Sequence, residues 1–178
     1  MSRIRPSYPD EAPALREIES LAGESFRSIG MASVAGDVHG PSEELLMAYA
    51  RNGRSWVAVD ESGSPVGYVL VDVVDGNAHV EQISIRPDSQ GQGLGRQLLE
   101  TVRTWAIETG RPAITLTTFA HVPWNRPLYE HLGFVILTEE EFGPELQSVR
   151  REEADHGLDP VTRVCMRIST TTSLVNVI

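Results

Sequence analysis

The run Gln90-Gly91-Gln92-Gly93-Leu94-Gly95-Arg96 constrains this chain more than any other. It lies between a strand-like segment, His79 to Ile85, and a helix-like one, Leu94 to Ile107. A glycine-rich turn that opens a helix exposes backbone N–H groups at the positive end of the helix dipole. It imposes strand, tight reversal and helix in that order, and it suits a phosphate group. A phosphorylated cofactor is therefore expected, and the glycine spacing bears on which one.

The 178 residues suit one domain with a sizeable core, read as 1–168 followed by a C-terminal tail at 169–178. No apolar run reaches the roughly 20 residues of a membrane span. Met1-Ser2-Arg3-Ile4-Arg5-Pro6 lacks the apolar core of a signal peptide. The single cysteine, Cys165, excludes an internal disulfide and fits a reducing compartment, so a cytoplasmic location is expected. The formal net charge of −10 argues against nucleic acid as the main partner. It serves solubility and weakly favours cationic small molecules through long-range steering.

Helical spacing appears within Pro9 to Ala22, at Ala14, Leu15, Ile18, Leu21 and Ala22. Gly23 to Gly40 reads as loop with a short helical piece. Pro41-Ser42-Glu43-Glu44 starts a second helix that stops near Gly53. Ser55 to Val59 and Val66 to Val74 are strand-like, and Asp75-Gly76-Asn77 turns the chain into His79 to Ile85. The helix after the glycine turn carries Leu94, Leu98, Leu99, Val102, Trp105 and Ala106 on one face. Ala113 to Thr118, Phe134 to Leu137 and Val161 to Ile168 read as further strands, with a short helix around Leu128 to Leu132 and a charged, partly helical stretch from Glu139 to His156. The expected class is α/β in the layered α+β sense. It has a mixed, mostly antiparallel central sheet flanked by helices, with one right-handed crossover through the long helix.

Gly91, Gly93 and Gly95 fall on every second residue, which does not fit the dinucleotide pattern G-x-G-x-x-G, and no Walker run G-x-x-x-x-G-K-[ST] exists. Gln90-x-x-Gly93-x-Gly95 does match Q/R-x-x-G-x-G/A. Ile83-Ser84-Ile85-Arg86-Pro87 precedes it, and Asn125-Arg126-Pro127-Leu128-Tyr129-Glu130-His131-Leu132-Gly133-Phe134 follows. On these residues the chain resembles the GNAT superfamily of acetyl-CoA-dependent N-acetyltransferases, most specifically from His79 to Phe134.

The resemblance implies a sheet whose strands splay apart beside the long helix and admit the pantetheine arm of acetyl-CoA. The arm would bond to Ile83, Ser84 and Ile85 like an added strand. Gln90, Gly91, Gln92, Gly93, Leu94, Gly95 and Arg96 would hold the pyrophosphate. A backbone N–H near Ile83 would polarise the thioester carbonyl. Tyr129, four residues before Gly133, matches the family tyrosine that protonates the leaving thiolate. A free alkylamine is mostly protonated at neutral pH, so the site also needs a base. His79 and Glu81 fall where family members place one, with Glu81 nearer the acetyl group and a water relay expected. Many members carry an Asn seven residues before the tyrosine; here Val122 stands there. Asn125 either takes over that contact with the cofactor or caps the helix that Pro127 begins.

Phe119, His121 and Trp124 lie beyond a strand end, where an acceptor pocket is expected. Cys165 reads as a small buried hydrophobe, and the five histidines lack metal-ligand spacing, so no metal is expected. The leading expectation is acetyl transfer from acetyl-CoA to a primary amine of a small molecule or peptide, by direct attack in a ternary complex. The alternatives are a silent acyl-CoA-binding sensor module and an acyltransferase with another donor or acceptor. Neither nucleic acid nor membrane is expected as partner, and a homodimer through the last strands stays open.

Overall fold

Turn chemistry fixes where this chain reverses. Between the strands that end at Val74 and begin at Asn77, Asp75 and Gly76 both take positive φ, 48° and 77°, as a two-residue turn matched to strand twist requires. The computed structural model describes residues 3–31, 40–158 and 162–174. Its strands are β1 (Arg3–Pro6), β2 (Ser55–Val59), β3 (Pro65–Val74), β4 (Asn77–Ile85), β5 (Ala113–Phe119), β6 (Val135–Ile136) and β7 (Arg163–Ser169). The helices are α1 (Ala12–Arg27), α2 (Glu43–Arg51), α3 (Leu94–Glu108), α4 (Arg126–Leu132) and α5 (Pro144–Asp155). The strands form an open seven-stranded sheet in the order β1-β2-β3-β4-β5-β7-β6. The sheet is mostly antiparallel; β4 and β5, joined by the α3 crossover, run parallel. That pairing registers Ala78, His79 and Val80 with Ile114, Thr115 and Leu116 and goes no further, while β5 stays paired with β7 as far as Phe119.

Two details differ from the sequence expectation. Arg3–Pro6 forms a strand, pairing with Trp56 to Val59 at the sheet edge, where a proline is tolerated. The first helix passes through Gly23 and ends at Arg27, because one helical glycine costs only about 1 kcal/mol and Gly23 is buried. The rest of the expected 23–40 loop falls partly on 32–39, outside the described residues, as do the expected strand start at Val161 and residues 175–178 of the expected tail at 169–178; the described part of that tail is held, with Ser169 ending β7 and Thr170 and Leu174 buried.

The chain packs as two compact units. The first comprises the described parts of Met1–Val71 and Gln82–Thr101. Its core joins Ala12, Leu15 and Ile18 of α1 to Leu46 and Tyr49 of α2, Val57 and Val59 of β2, and Tyr68 and Leu70 of β3. Each large aliphatic buried there contributes about 1.5–3 kcal/mol. Ser42 caps α2, its hydroxyl accepting from Leu45 N–H at 3.2 Å.

The second unit comprises the described parts of Asp72–Glu81 and Val102–Ile178. The β5–β7 ladder is its backbone, and Val74, Leu146 and Cys165 pack with Leu137, Phe142 and Val149. Here α5 is capped from far away in sequence. The Asp75 carboxylate accepts from Glu145 N–H and Leu146 N–H at 3.0 Å each, and Glu145 accepts in turn from Asp75 N–H. A Cβ at Gly143 would overlap that carboxylate.

Candidate active site

The glycine turn lies in the first unit. Ser89 N–H donates to Arg86 O at 2.9 Å, and the Arg86–Asp88 pair, 2.7 Å apart, braces the strand end. Gly91 and Gly93 sit at φ 77° and 75°, conformations a side chain resists. Gly95 does not need to be glycine for the fold: it is helical, and nothing lies within 4 Å of a Cβ placed there. Glycine in a helix costs about 1 kcal/mol against alanine. A residue that weakens its helix and leaves open space above it fits close approach of a bulky anion to the backbone. Leu94 is buried in the core, so only its backbone remains for such an anion, while Gln90, Gly91, Gln92 and Gly93 are exposed. Arg96 pairs with Glu100 at 3.6 Å.

The strand leading into that turn carries a polar hub that the sequence reading passed over. Glu19 of α1 accepts from Tyr68 Oη at 2.9 Å, from Gln82 Nε2 at 3.0 and 2.9 Å, and from Ser84 Oγ at 2.5 Å. Gln82 Nε2 also donates to Ser84 Oγ at 3.1 Å. Burial and the neighbouring Glu19 carboxylate push the Tyr68 phenol well above its ordinary value, so it stays a donor. The Ser84 side chain is thereby committed, leaving its backbone for any ligand. A signal for the hub did exist: Glu19 stands four residues after Leu15 and next to Ile18, a carboxylate beside an apolar stripe.

In the second unit, β4 turns two titratable side chains into different species. His79 is 1% exposed, and its Nδ1 shares a 2.9 Å hydrogen bond with Thr115 Oγ1. Burial lowers its pKa to about 4, so the ring is neutral. Glu81 retains exposed surface, yet its carboxyl is pushed up to about 7. Desolvation is the largest cause, followed by like charge from Asp72, Glu153 and Glu152, with Arg163 opposing.

Arg163 is one of two cations that meet Glu153 here. Its Nη2 donates to Thr117 Oγ1 at 2.9 Å and to Glu153 at 3.2 Å, and its guanidinium lies 4.6 Å from the centre of the Phe119 ring. Arg150 holds the other Glu153 oxygen at 2.9 Å, and Thr117 donates to Glu153 as well. Tyr129, on α4, is half-buried; burial pushes its phenol up to about 12, with Arg163 opposing. Its ring meets Phe134 edge to face at 5.7 Å, and Gly133 caps the helix at φ 103°. His79, Glu81 and Tyr129 are thus all within reach of the Arg163 charge.

Asn125 occupies the N-cap of α4 but makes no side-chain capping bond, so its amide is not spent on the helix. Of the residues expected to line an acceptor pocket, Phe119 is buried under Arg163, while His121 and Trp124 are exposed. Cys165 is a free thiol, 1% exposed, and burial pushes it up to about 11. Among the described residues, no group of His, Cys, Asp and Glu is arranged to hold a metal ion, and no helix is long and apolar enough to cross a membrane.

Strand, glycine turn, long helix and parallel return strand are the arrangement of a mixed α/β sheet protein built to take a phosphorylated ligand at its glycine turn. The acetyltransferase (GNAT) family model matches residues 15–134, and the chain belongs to that family. It is 29% identical over 99 residues to peptidyl-lysine N-acetyltransferase YjaB of Salmonella typhimurium, spanning 56% of this chain and 62% of that protein. To the Escherichia coli YjaB it is 35% identical over 66 residues, 37% of this chain and 42% of that protein. These matches span less than two thirds of the length of either curated relative. Among solved structures, the PaiA N-acetyltransferase of Thermoplasma acidophilum, in complex with coenzyme A, superposes with a TM-score of 0.72 at 12% identity, over 95% of this chain and 99% of that one. The ribosomal-protein-S18-alanine N-acetyltransferase of Escherichia coli gives 0.64 at 21% identity, over 100% and 99%.

Proposed function

We propose that this protein transfers acetyl from acetyl-CoA to a primary amine, with Glu81 as base and Tyr129 as acid. The observation that carries the reading is Glu81, an accessible carboxyl with a pKa of about 7 on the strand of a GNAT-family chain. Such a group is half ionised at neutral pH and can take a proton from an ammonium, directly or through one water. His79, sealed and neutral, serves as a strut on Thr115 rather than as the base.

Acetyl-CoA enters as substrate, its pyrophosphate on the backbone of Gln90 to Arg96 and its pantetheine arm along Ile83 to Ile85. Asn125, whose amide is not used in capping, supplies a further contact. The neutral amine attacks the thioester carbonyl carbon; the C–N bond forms and the C–S bond breaks. Glu81 releases the ammonium's proton to water before the attack and takes the second nitrogen proton as the amide forms; the Tyr129 hydroxyl, still protonated at neutral pH, gives its proton to the departing thiolate and regains one from water. The Ile83 N–H would stabilise charge growing on the carbonyl oxygen. A peptide lysine is the favoured acceptor, supported by the peptidyl-lysine N-acetyltransferases among its relatives. His121 and Trp124 would border it.

Calorimetry with acetyl-CoA tests the donor, and coenzyme A release across peptide-lysine, N-terminal and small amines tests the acceptor. Tyr129→Phe is expected to cut kcat about a hundredfold, the typical scale for a general acid, while acetyl-CoA affinity holds. Unchanged turnover removes Tyr129 from the role. Affinity without thiol release for any amine would make the chain a silent acyl-CoA-binding module.

A further inference from the structure

We infer that Glu19 is a positioning residue for this reaction: from α1 it grips Gln82 and Ser84, the two neighbours of Ile83, and so fixes the Ile83 backbone N–H. The inference rests on the acetyl-transfer reading above. A half-buried carboxylate is costly unless its lone pairs are filled, and here three different side chains fill them. Two of the three lie on consecutive same-face positions of β4, on either side of Ile83.

The place of the grip matters. Registered pairing of β4 with β5 ends at Val80, so beyond it the ladder no longer restrains β4 on that side. The Gln82 and Ser84 side chains supply a restraint from the helix instead. Apolar contact of Leu15 and Ile18 with Tyr68 and Leu70 already fastens α1 to the sheet, so the hub is not needed merely to dock the helix. Gly67 adds a second restraint at the same segment: a Cβ there would overlap Ile85 Cδ1 and lie 3.1 Å from the Ser84 carbonyl oxygen.

Glu19→Gln keeps the shape but leaves one acceptor oxygen for the donors of Tyr68, Gln82 and Ser84 and sets an NH2 donor against them; Tyr68→Phe removes one donor and keeps the ring. Full-chain variants are checked by thermal melting. Then acetyl-CoA is titrated calorimetrically, and kcat is read from thiol release with a lysine peptide. Misplacement of an oxyanion donor predicts about a tenfold loss of kcat in Glu19→Gln and about threefold in Tyr68→Phe, each larger than the loss of acetyl-CoA affinity through the same strand. Deuterium exchange at 82–84 is expected to quicken in both. Folded variants with wild-type kcat overturn the inference, as does a weakened Kd with kcat intact. If Glu19→Gln does not fold, Tyr68→Phe decides on the same terms. A wild-type protein that acetylates while both variants match it sinks only the role of Glu19. A wild-type protein that releases no thiol sinks the acetyl-transfer reading and this one together.

Discussion

In the first unit Glu19 receives hydrogen bonds from Tyr68, Gln82 and Ser84, whereas in the second Glu81 stands among Asp72, Glu152 and Glu153. Filled lone pairs make one carboxylate a tether. Desolvation and like charge raise the other to about 7, which suits the base role proposed for it. The same side chain takes two roles because one unit surrounds it with neutral donors and the other with charge.

The sharpest break of that contrast is Glu81→Gln. It should lower kcat/KM by about a hundredfold or more. It should also abolish the rise of activity expected of the wild-type protein as pH climbs through about 7 and Glu81 ionises. A pH–rate profile with the same limb in the variant would move the base elsewhere.

His79 sharpens the contrast by placing an acid-sensitive group two residues from Glu81, whose own shift works against it. Its folded pKa, about 4, lies below the ordinary 6.5, so the unfolded chain binds the extra proton first. The contribution is full above pH 6.5 and lost as pH falls toward 4, amounting to about 3 kcal/mol at most. Glu81, with its raised folded pKa, works in the opposite direction between 4.5 and 7, favouring the fold as pH falls. Urea melts at pH 7.5 and 5 should therefore show a smaller loss in His79→Gln than in wild type. An equal loss would rule out His79 as the source.

A smaller effect is expected from Arg163→Met, which leaves Glu153 with Arg150 and Thr117. Stability should fall by about 2 kcal/mol, less than for a fully stranded buried charge. The acid limb of the pH profile should move upward, because the cation that opposes the Glu81 shift is gone. A downward move would contradict the assignment.

The parts legible in the sequence were those written in local chemistry. Asp75-Gly76, the Gly91–Gly93 turn and Gly133 mark reversals through backbone demands that few residues meet, and the apolar face of α3 follows from spacing alone. The tuning of His79 against Glu81 was not legible. They sit two residues apart on one strand, and only burial against Thr115 or proximity to Asp72 and Glu153 distinguishes them. Glu19 was missed for a related reason: its partners come from strands far along the chain. Arg3–Pro6 was too short to show alternation and is a strand only because β2 offers it an edge.

The reciprocal bond between Asp75 and the start of α5 has an evolutionary corollary. The hairpin residue and the glycine at 143 form one linked character, since any side chain at 143 collides with the carboxylate that anchors the helix. Relatives that lose the acid should be free to lose the glycine, and those that keep it should not. A grafted β3–β4 hairpin without Asp75 would leave α5, which carries Glu152 and Glu153, without its anchor.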